Sequence, residues 1–159
     1  MDHEKYMKEA CILASRAIRR GGGPFGAVIV ENDNKDIIGR GHNMVSIEND
    51  PTLHAEIVAI KHACRMLKTF KLENCTLYSS CEPCPMCLSA CYWAGIKTIY
   101  YGNTKHDAQE IHFDDSFIYD ELKKESENRL IKMVHLPEYK EDYQTAFKEW
   151  SEKTDKIPY

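Results

Sequence analysis

Residues 75–94 read CTLYSSCEPCPMCLSACYWA, and this stretch decides the fold because it joins a strand to a helix through a Cys-x-x-Cys pair. The apolar run Cys75–Ser79 predicts a buried strand. Pro83 then introduces a helix over Pro85–Ala94, since proline is favoured just at a helix start. The two cysteines between these elements are three residues apart and therefore neighbour each other on one face of the helix.

Alternating helices and strands precede this stretch. Apolar residues at helical spacing predict a helix through Met7–Ile18, which Gly21–Pro24 ends. The segments Ala27–Val30 and Ile37–Gly41 then predict a β-hairpin. Asp50–Pro51 is a helix-start signal, and the helical pattern continues from there to about Lys68.

The remaining chain predicts a further strand and two more helices. The strand is Thr98–Tyr101, followed by a loop to Asp115 and a helical piece Ser116–Lys124. An apolar stretch over 130–136 precedes a final helix over 138–153. The order of elements predicts a three-layer α/β/α sandwich with a mixed central sheet, formed as a single domain over residues 1–159.

Composition limits the class of partner. The 159-residue chain carries 21 Lys and Arg against 25 Asp and Glu, for a net charge of −4, and has no strongly basic stretch. Nucleic-acid binding normally needs a basic surplus, so the balance favours a small-molecule substrate. The sequence shows neither an export signal nor an apolar run long enough to span a membrane, which predicts a cytoplasmic protein.

The cysteines indicate a metal site. In a reducing compartment the seven cysteines are expected to be metal ligands or core residues rather than disulfides. His54, Cys84 and Cys87 supply one imidazole and two thiolates, the three protein ligands of a catalytic zinc site that keeps a fourth position for water. Zn²⁺ is therefore the predicted cofactor.

Glu56 is the predicted catalytic acid and base. A carboxylate beside the zinc can take a proton from the attacking water and deliver protons to the atoms of the substrate that need them. Residues two apart on a helix diverge by roughly 200°. His54 and Glu56 therefore share a site only at a helix end, and the start signal at Asp50–Pro51 places them in the first turn.

Two other metal proteins share parts of this pattern. The spacing of Cys81, Cys84, Cys87 and Cys91 matches an iron–sulfur cluster run, although Tyr92 stands where proline is expected and no second run exists. A structural zinc site would need a fourth protein ligand, which Cys81 or Cys91 would have to supply. Neither alternative explains the pairing of His54 with Glu56. We expect Cys91 to lie in the core and Cys81 at the strand end near the metal.

Six sequence blocks carry a family resemblance. His-x-Glu combined with Pro-Cys-x-x-Cys is the zinc-deaminase signature, in which Glu is not a ligand. The chain resembles the cytidine/deoxycytidylate deaminase superfamily over almost its whole length, and most closely the bacterial-type guanine deaminases. The resemblance implies the cytidine deaminase-like fold and usually a homodimer. The blocks are Gly23–Ala27, His42–Asn43, Asn49–Thr52, His54–Glu56, Ser80–Cys87 and Phe113–Phe117.

The resemblance also implies a set of substrate contacts. Asp115 is expected to accept hydrogen bonds from guanine N1–H and the 2-amino group, and in that case Asp114 is expected to cap the next helix. The alternative role of Asp115 is to cap that helix itself. Asn43 is expected to contact the base or, alternatively, only a turn. Phe25 and Trp93 are expected either to form pocket walls or to fill the core. The Ala55 amide is expected to help orient the base. Tyr159 is expected to contact the substrate from a C-terminal segment, 137–159, which such enzymes can exchange between subunits, with a frayed tail as its alternative.

The expected reaction is hydrolysis of guanine to xanthine and ammonia. The Phe113–Phe117 block is the part of the resemblance that favours guanine. The segment His42–Val45 also resembles guanosine deaminases, so a nucleoside or another aminated heterocycle remains open. Deamination of tRNA adenosine conflicts with the acidic charge balance and with the Phe113–Phe117 block.

Overall fold

A computed structural model describes all 159 residues and forms seven helices and four strands. Two short 3₁₀ turns, Ser126–Asn128 and Pro137–Tyr139, precede the last helix. In chain order the elements are α1 (His3–Arg19), β1 (Gly26–Glu31), β2 (Ile37–His42), α2 (Val45–Glu48), α3 (Ala55–Leu67), β3 (Cys75–Cys81), α4 (Pro85–Ala94), β4 (Thr98–Asn103), α5 (Lys105–Glu110), α6 (Ser116–Lys123) and α7 (Lys140–Glu152).

The sheet is mixed, with strand order β2-β1-β3-β4. β1 pairs antiparallel with both β2 and β3, whereas β3 and β4 run parallel. A parallel pair needs a crossover connection, which α4 provides between β3 and β4. The predicted mixed sheet is therefore confirmed, and β3, which leads into the Cys-x-x-Cys pair at the start of α4, is an inner strand.

Helices cover both faces of this sheet. On one face, Tyr6 and Leu13 of α1 pack with the buried β1 residues Val28 and Val30 and with Tyr78. On the other face, small residues of α3 pack against alternate residues of the same strands, and α4 joins that layer. Because successive side chains of a strand point to opposite faces, each buried strand serves both layers. The predicted three-layer sandwich is confirmed.

Two glycines in β2 let α3 lie directly on the sheet. A Cβ atom on Gly41 would stand 2.2 Å from the Ala55 carbonyl oxygen, and one on Gly39 would stand 2.5 Å from that of Ala59. Both distances are below contact, so the backbone of α3 approaches β2 where only glycine fits. This close approach sets the position of the α3 N-terminus, where His54 and Glu56 lie.

Several predicted boundaries were wrong. α3 begins at Ala55 rather than at Asp50, because the Asp50 side chain accepts a hydrogen bond from the Thr52 amide at 2.8 Å and closes a local turn. The predicted loop before Asp115 contains α5, which starts at a capping box between Thr104 and Asp107. The apolar stretch 130–136 forms neither helix nor strand.

The chain divides into two compact units, Met1–Ile118 and Tyr119–Tyr159. The first contains the whole sheet with α1 to α5. In the second, the Arg129 guanidinium donates to the Glu121 carbonyl at 3.2 Å and so caps the end of α6. No helix is both long and apolar enough to cross a membrane.

Candidate active site

Two helix N-termini meet at the centre of the site. His54 is the N-cap of α3 and Cys84 is the N-cap of α4, and neither side chain makes a capping hydrogen bond. N-cap positions usually carry a side chain that bonds the helix amides. Here these side chains are left for another role, and the partial positive charge of both helix ends favours negative charge between them.

His54, Cys84 and Cys87 form a cluster suited to a metal ion. Their ligand atoms all lie within 4.8 Å of one another, and Cys84 Sγ is 3.4 Å from His54 Nδ1. A hydrogen bond from Cys87, with a further one from His54, lowers the pKa of Cys84 to about 4. One imidazole and two thiol groups, one of them favoured as a thiolate, fit Zn²⁺, and the three-ligand set matches a catalytic rather than a structural zinc site.

Glu56 lies beside this cluster at the second position of α3. It is 6% exposed, and its Oε1 accepts a hydrogen bond from the Ser79 hydroxyl at 2.9 Å. Burial raises the pKa of this carboxyl above its ordinary value. At the helix end, Glu56 and the His54 imidazole both border one cavity, as the two-residue spacing predicted.

The cluster opens into a cavity of about 720 Å³. Phe25 and Phe113 form part of its wall, with their rings edge to face and their centroids 5.0 Å apart. The volume exceeds that of a purine base, and the wall is mostly apolar with a few convergent polar groups, as is usual for small-molecule sites. Its lining includes Phe25, Asn43, His54, Glu56, Cys81, Cys84, His112, Phe113 and Asp115.

The oxygen of the Asn43 side-chain amide is already hydrogen-bonded within the protein. Its Oδ1 accepts hydrogen bonds from the Gly23 amide at 3.3 Å and the Val45 amide at 3.1 Å. These bonds orient the side chain and leave its NH₂ group as a donor in a residue that lines the cavity. The turn role and the base-contacting role, posed as alternatives in the sequence, are therefore compatible.

The adjacent residues Asp114 and Asp115 have different roles. Asp114 accepts a hydrogen bond from the Ser116 amide at 2.9 Å and so starts α6. Asp115 lines the cavity, and its Oδ1 is buried with no hydrogen-bond partner in the protein. Burial raises the pKa of Asp115 above its ordinary value. A buried oxygen without a partner is costly, and a ligand that donates to it would remove that cost.

Two residues predicted to contact the substrate, Ala55 and Trp93, are absent from the cavity wall. Ala55 is the buried first residue of α3, adjacent to His54 but absent from the cavity wall. Trp93 is 71% exposed on α4, so it neither fills the core nor lines the cavity. An exposed position was not anticipated, because helical periodicity places Trp93 on a helix without saying what covers it. Tyr159 lies at the exposed end of the second unit.

Sequence reasoning missed three residues around the site. Ser79 carries the hydrogen bond to Glu56. Glu82 accepts a hydrogen bond from the Lys105 amide at 2.9 Å and so ties the cavity wall to the start of α5. His112 follows the end of α5 and has the left-handed conformation, with φ of 70°. The Thr104-x-x-Asp107 spacing was the available signal for α5, and nothing comparable marks Ser79.

The other two cysteines of the dense run have separate surroundings. Cys81 ends β3 and borders the cavity, whereas Cys91 is buried in the core of the α3 and α4 layer. Both positions match those expected from the sequence. The metal-binding cluster pairs Cys84 and Cys87 with a histidine. The iron–sulfur alternative, which needs the run of four cysteines, is left without support.

Known proteins are similar to this chain in both sequence and fold. A family model described as the cytidine and deoxycytidylate deaminase zinc-binding region matches residues 1–103. The guanine deaminase of Bacillus subtilis is 47% identical over 160 residues, which cover all of both chains. Its X-ray structure has a TM-score of 0.89 at 46% identity and covers 100% of this chain and 99% of that one.

Two further relatives place this similarity in context. A solved structure of NE0047 in complex with 2,6-diaminopurine has a TM-score of 0.68 at 33% identity, and the match covers 71% of this chain and 62% of that one. The tRNA-specific adenosine deaminase of Haemophilus influenzae is 38% identical over 118 residues, 72% of this chain and 68% of that protein. From the zinc-binding cluster, the sheet and these matches, we conclude that the chain belongs to the cytidine and deoxycytidylate deaminase family.

Proposed function

We propose that this chain is a zinc-dependent hydrolase that deaminates guanine to xanthine and ammonia. The observation that carries the substrate assignment is Asp115, which lines the same cavity as Glu56 and the metal cluster and whose Oδ1 is buried without a hydrogen-bond partner. Guanine presents N1–H and its 2-amino group as adjacent donors, which suit a single carboxylate. The full-length similarity to a guanine deaminase supports the same assignment.

His54, Cys84 and Cys87 would hold the zinc ion. When bound, the ion supplies the Lewis acidity that makes water a nucleophile near neutral pH. The two thiol groups balance its charge on deprotonation, and the two helix N-termini favour that deprotonation.

Glu56 moves the protons of the reaction. Its carboxylate takes a proton from the attacking water as the water oxygen bonds to the carbon that bears the amino group. It passes that proton to the adjacent ring nitrogen and then moves the second proton of the water to the amine, which leaves as ammonia. The near-complete burial of Glu56 keeps bulk water from competing for these protons.

The cavity wall orients the base. Asp115 accepts from N1–H and the amino group, and the Asn43 NH₂ group donates to an acceptor on the purine edge. Phe25, held edge to face by Phe113, covers a ring face. The Ala55 N–H, one of the free donors at the start of α3, helps to orient the base. The relative solved with 2,6-diaminopurine supports a ligand of this class.

The C-terminal segment and Trp93 complete the site across a homodimer. The second unit exposes large apolar side chains, among them Leu130, Ile131, Val134 and Phe147, and exposed apolar surface of this kind marks a binding surface. β4 offers an open sheet edge in the first unit. We propose that segment 137–159 is exchanged between subunits and that Tyr159 contacts the substrate in its partner.

A reducing compartment such as the cytoplasm suits this chemistry. All seven cysteines are free, and two of them must stay reduced to bind zinc. The net charge of −4 gives the protein no electrostatic attraction to nucleic acid, which agrees with a free base as substrate.

Ammonia release tests this function directly. The zinc-loaded chain is incubated with guanine, guanosine, adenine, cytosine and cytidine, and we expect rapid release from guanine alone. Glu56→Ala is the control, expected to bind zinc and melt normally while losing turnover by roughly 10²- to 10⁴-fold. If guanosine is the preferred substrate, the assigned substrate becomes the nucleoside rather than the free base. Retained activity in Glu56→Ala would refute the mechanism.

A further inference from the structure

We propose that Ser79 is a positioning residue that orients the Glu56 carboxylate for proton transfer. This inference rests on the proposed function, because it assigns Ser79 a role through Glu56. The Ser79 hydroxyl donates to Glu56 Oε1 at 2.9 Å, and both side chains are buried. One carboxylate oxygen is therefore held in place, and Oε2 is the oxygen that exchanges protons with water and substrate.

The fold places Ser79 on the face of the sheet that carries the chemistry. Cys75 and Leu77 of β3 belong to the core shared with α3 and α4, whereas Tyr78 packs with α1. Because strand side chains alternate, Ser79 points to the α3 and α4 side and Ser80 to the α1 side. Ser79 thus faces the helices that supply the metal ligands and Glu56.

The backbone beneath Ser79 is fixed by hydrogen-bonded strands on both sides. Ser79 lies opposite Ala27 of β1 and Tyr101 of β4, and it is only 1% exposed. A buried hydroxyl needs an acceptor, and the Glu56 carboxylate is the acceptor it has. The donor is consequently held on a rigid element, which is what accurate placement of a catalytic group requires.

The Ser79 hydroxyl is the side-chain donor that restrains the Glu56 carboxylate. Without it, rotation about the terminal torsion of Glu56 is freer, since such torsions are broad.

The test compares serine variants in the zinc-loaded chain. For Ser79→Ala we expect kcat for guanine to fall about 10- to 100-fold while KM changes less than about threefold, because binding is retained and proton transfer is misaligned. Ser79→Cys preserves volume with a weaker donor and should give an intermediate kcat. Ser79→Thr restores a hydroxyl and should recover most of the loss.

Ser80→Ala is the matched control. Ser80 is the adjacent buried serine, but its Oγ accepts a hydrogen bond from the Gly26 amide at 3.0 Å on the α1 side. We expect it to affect the melting temperature and to leave kcat within about twofold of wild type. Zinc content and xanthine affinity, measured in every variant, should match wild type and so separate positioning from loss of the site.

The outcomes separate this inference from the proposed function. A Ser79→Ala kcat within about twofold of wild type overturns the inference while the function stands. The inference also fails if Ser79→Thr is as slow as Ser79→Ala, or if KM and xanthine affinity weaken in step with kcat. Absence of guanine deamination in the wild-type chain instead contradicts the proposed function. The serine comparison is then made on whichever base of the panel is deaminated.

Discussion

At the scale of single residues, Asp115 combines a cost to the fold with a benefit to recognition. Burial raises the pKa of Asp115, so the fold holds this carboxylate charge at some expense. Asp115→Asn places an amide where guanine presents two donors. We expect kcat/KM for guanine to fall by at least about 100-fold, since a polar site that mispairs with its substrate discriminates strongly. The melting temperature should stay equal or rise.

Asp114→Asn is the neighbouring control for this prediction. Asp114 bonds the Ser116 amide and hydroxyl, and an asparagine oxygen caps a helix nearly as well as a carboxylate. We expect guanine turnover within about threefold of wild type. If both variants lose activity equally, the loss reflects the α6 start rather than contact with the substrate.

The metal cluster was the part of the site best predicted from the sequence. His54, Cys84 and Cys87 follow from residue chemistry and spacing, because few other sets of side chains provide three zinc ligands near a buried glutamate. The contact between Ser79 and Glu56 could not be predicted in this way. Strand alternation assigns a face to a serine, but its hydrogen-bond partner depends on how α3 docks on the sheet. Contacts of Trp93 and Tyr159 depend on neighbours outside their own elements.

At the scale of elements, local side-chain bonds explain the misplaced boundaries. Asp50 and Pro51 resemble a helix start, yet the Asp50 carboxylate bonds Thr52 two residues on and so stabilises a turn. α3 starts instead at Ala55, where the glycines of β2 allow its close approach. The six-residue α5 escaped prediction because so short a helix has little periodicity to detect.

His112 offers a test of how α5 ends before the Phe113–Phe117 block. Its φ of 70° is a left-handed conformation that costs most residues about 1 kcal/mol and costs glycine little. The Phe113 amide then bonds the Ala108 carbonyl at 2.9 Å and turns the chain toward Asp115. We expect His112→Gly to stabilise the protein by up to about 1 kcal/mol, measured as a melting temperature higher by roughly 2–4 °C.

His106→Gly provides the opposite case, because His106 lies inside α5. His106 is exposed in α5, where glycine lowers helix stability by up to about 1 kcal/mol. The same substitution should therefore lower the melting temperature at position 106 and raise it at position 112. A drop at both positions would show that the strain at His112 is not what limits stability there.

At the scale of the whole molecule, the two units differ in how many of their apolar side chains are buried. The first unit contains two buried apolar layers, one on each face of the sheet. The second has α7 and the stretch 130–136, whose large apolar residues stay exposed. A segment of about 40 residues rarely builds a sufficient core alone. The stability of the second unit therefore depends on a surface that buries it, and a second copy of this chain is the proposed one.

Complementation between two inactive variants tests the exchange of the C-terminal segment. One variant carries Glu56→Ala, and the other lacks residues 154–159 and should lose turnover if Tyr159 closes the site. Co-expressed in equal amounts, half of the dimers are mixed, and exchange gives each of these one complete site, so about a quarter of wild-type activity should return. Pairing Glu56→Ala with Asp115→Asn is the control, because both changes lie in the first unit and no mixed dimer then contains a complete site.

Two outcomes would contradict the exchange. Without exchange the truncated chain lacks its own tail in every dimer, and co-expression restores no activity. A truncated chain that is fully active alone removes Tyr159 from the site.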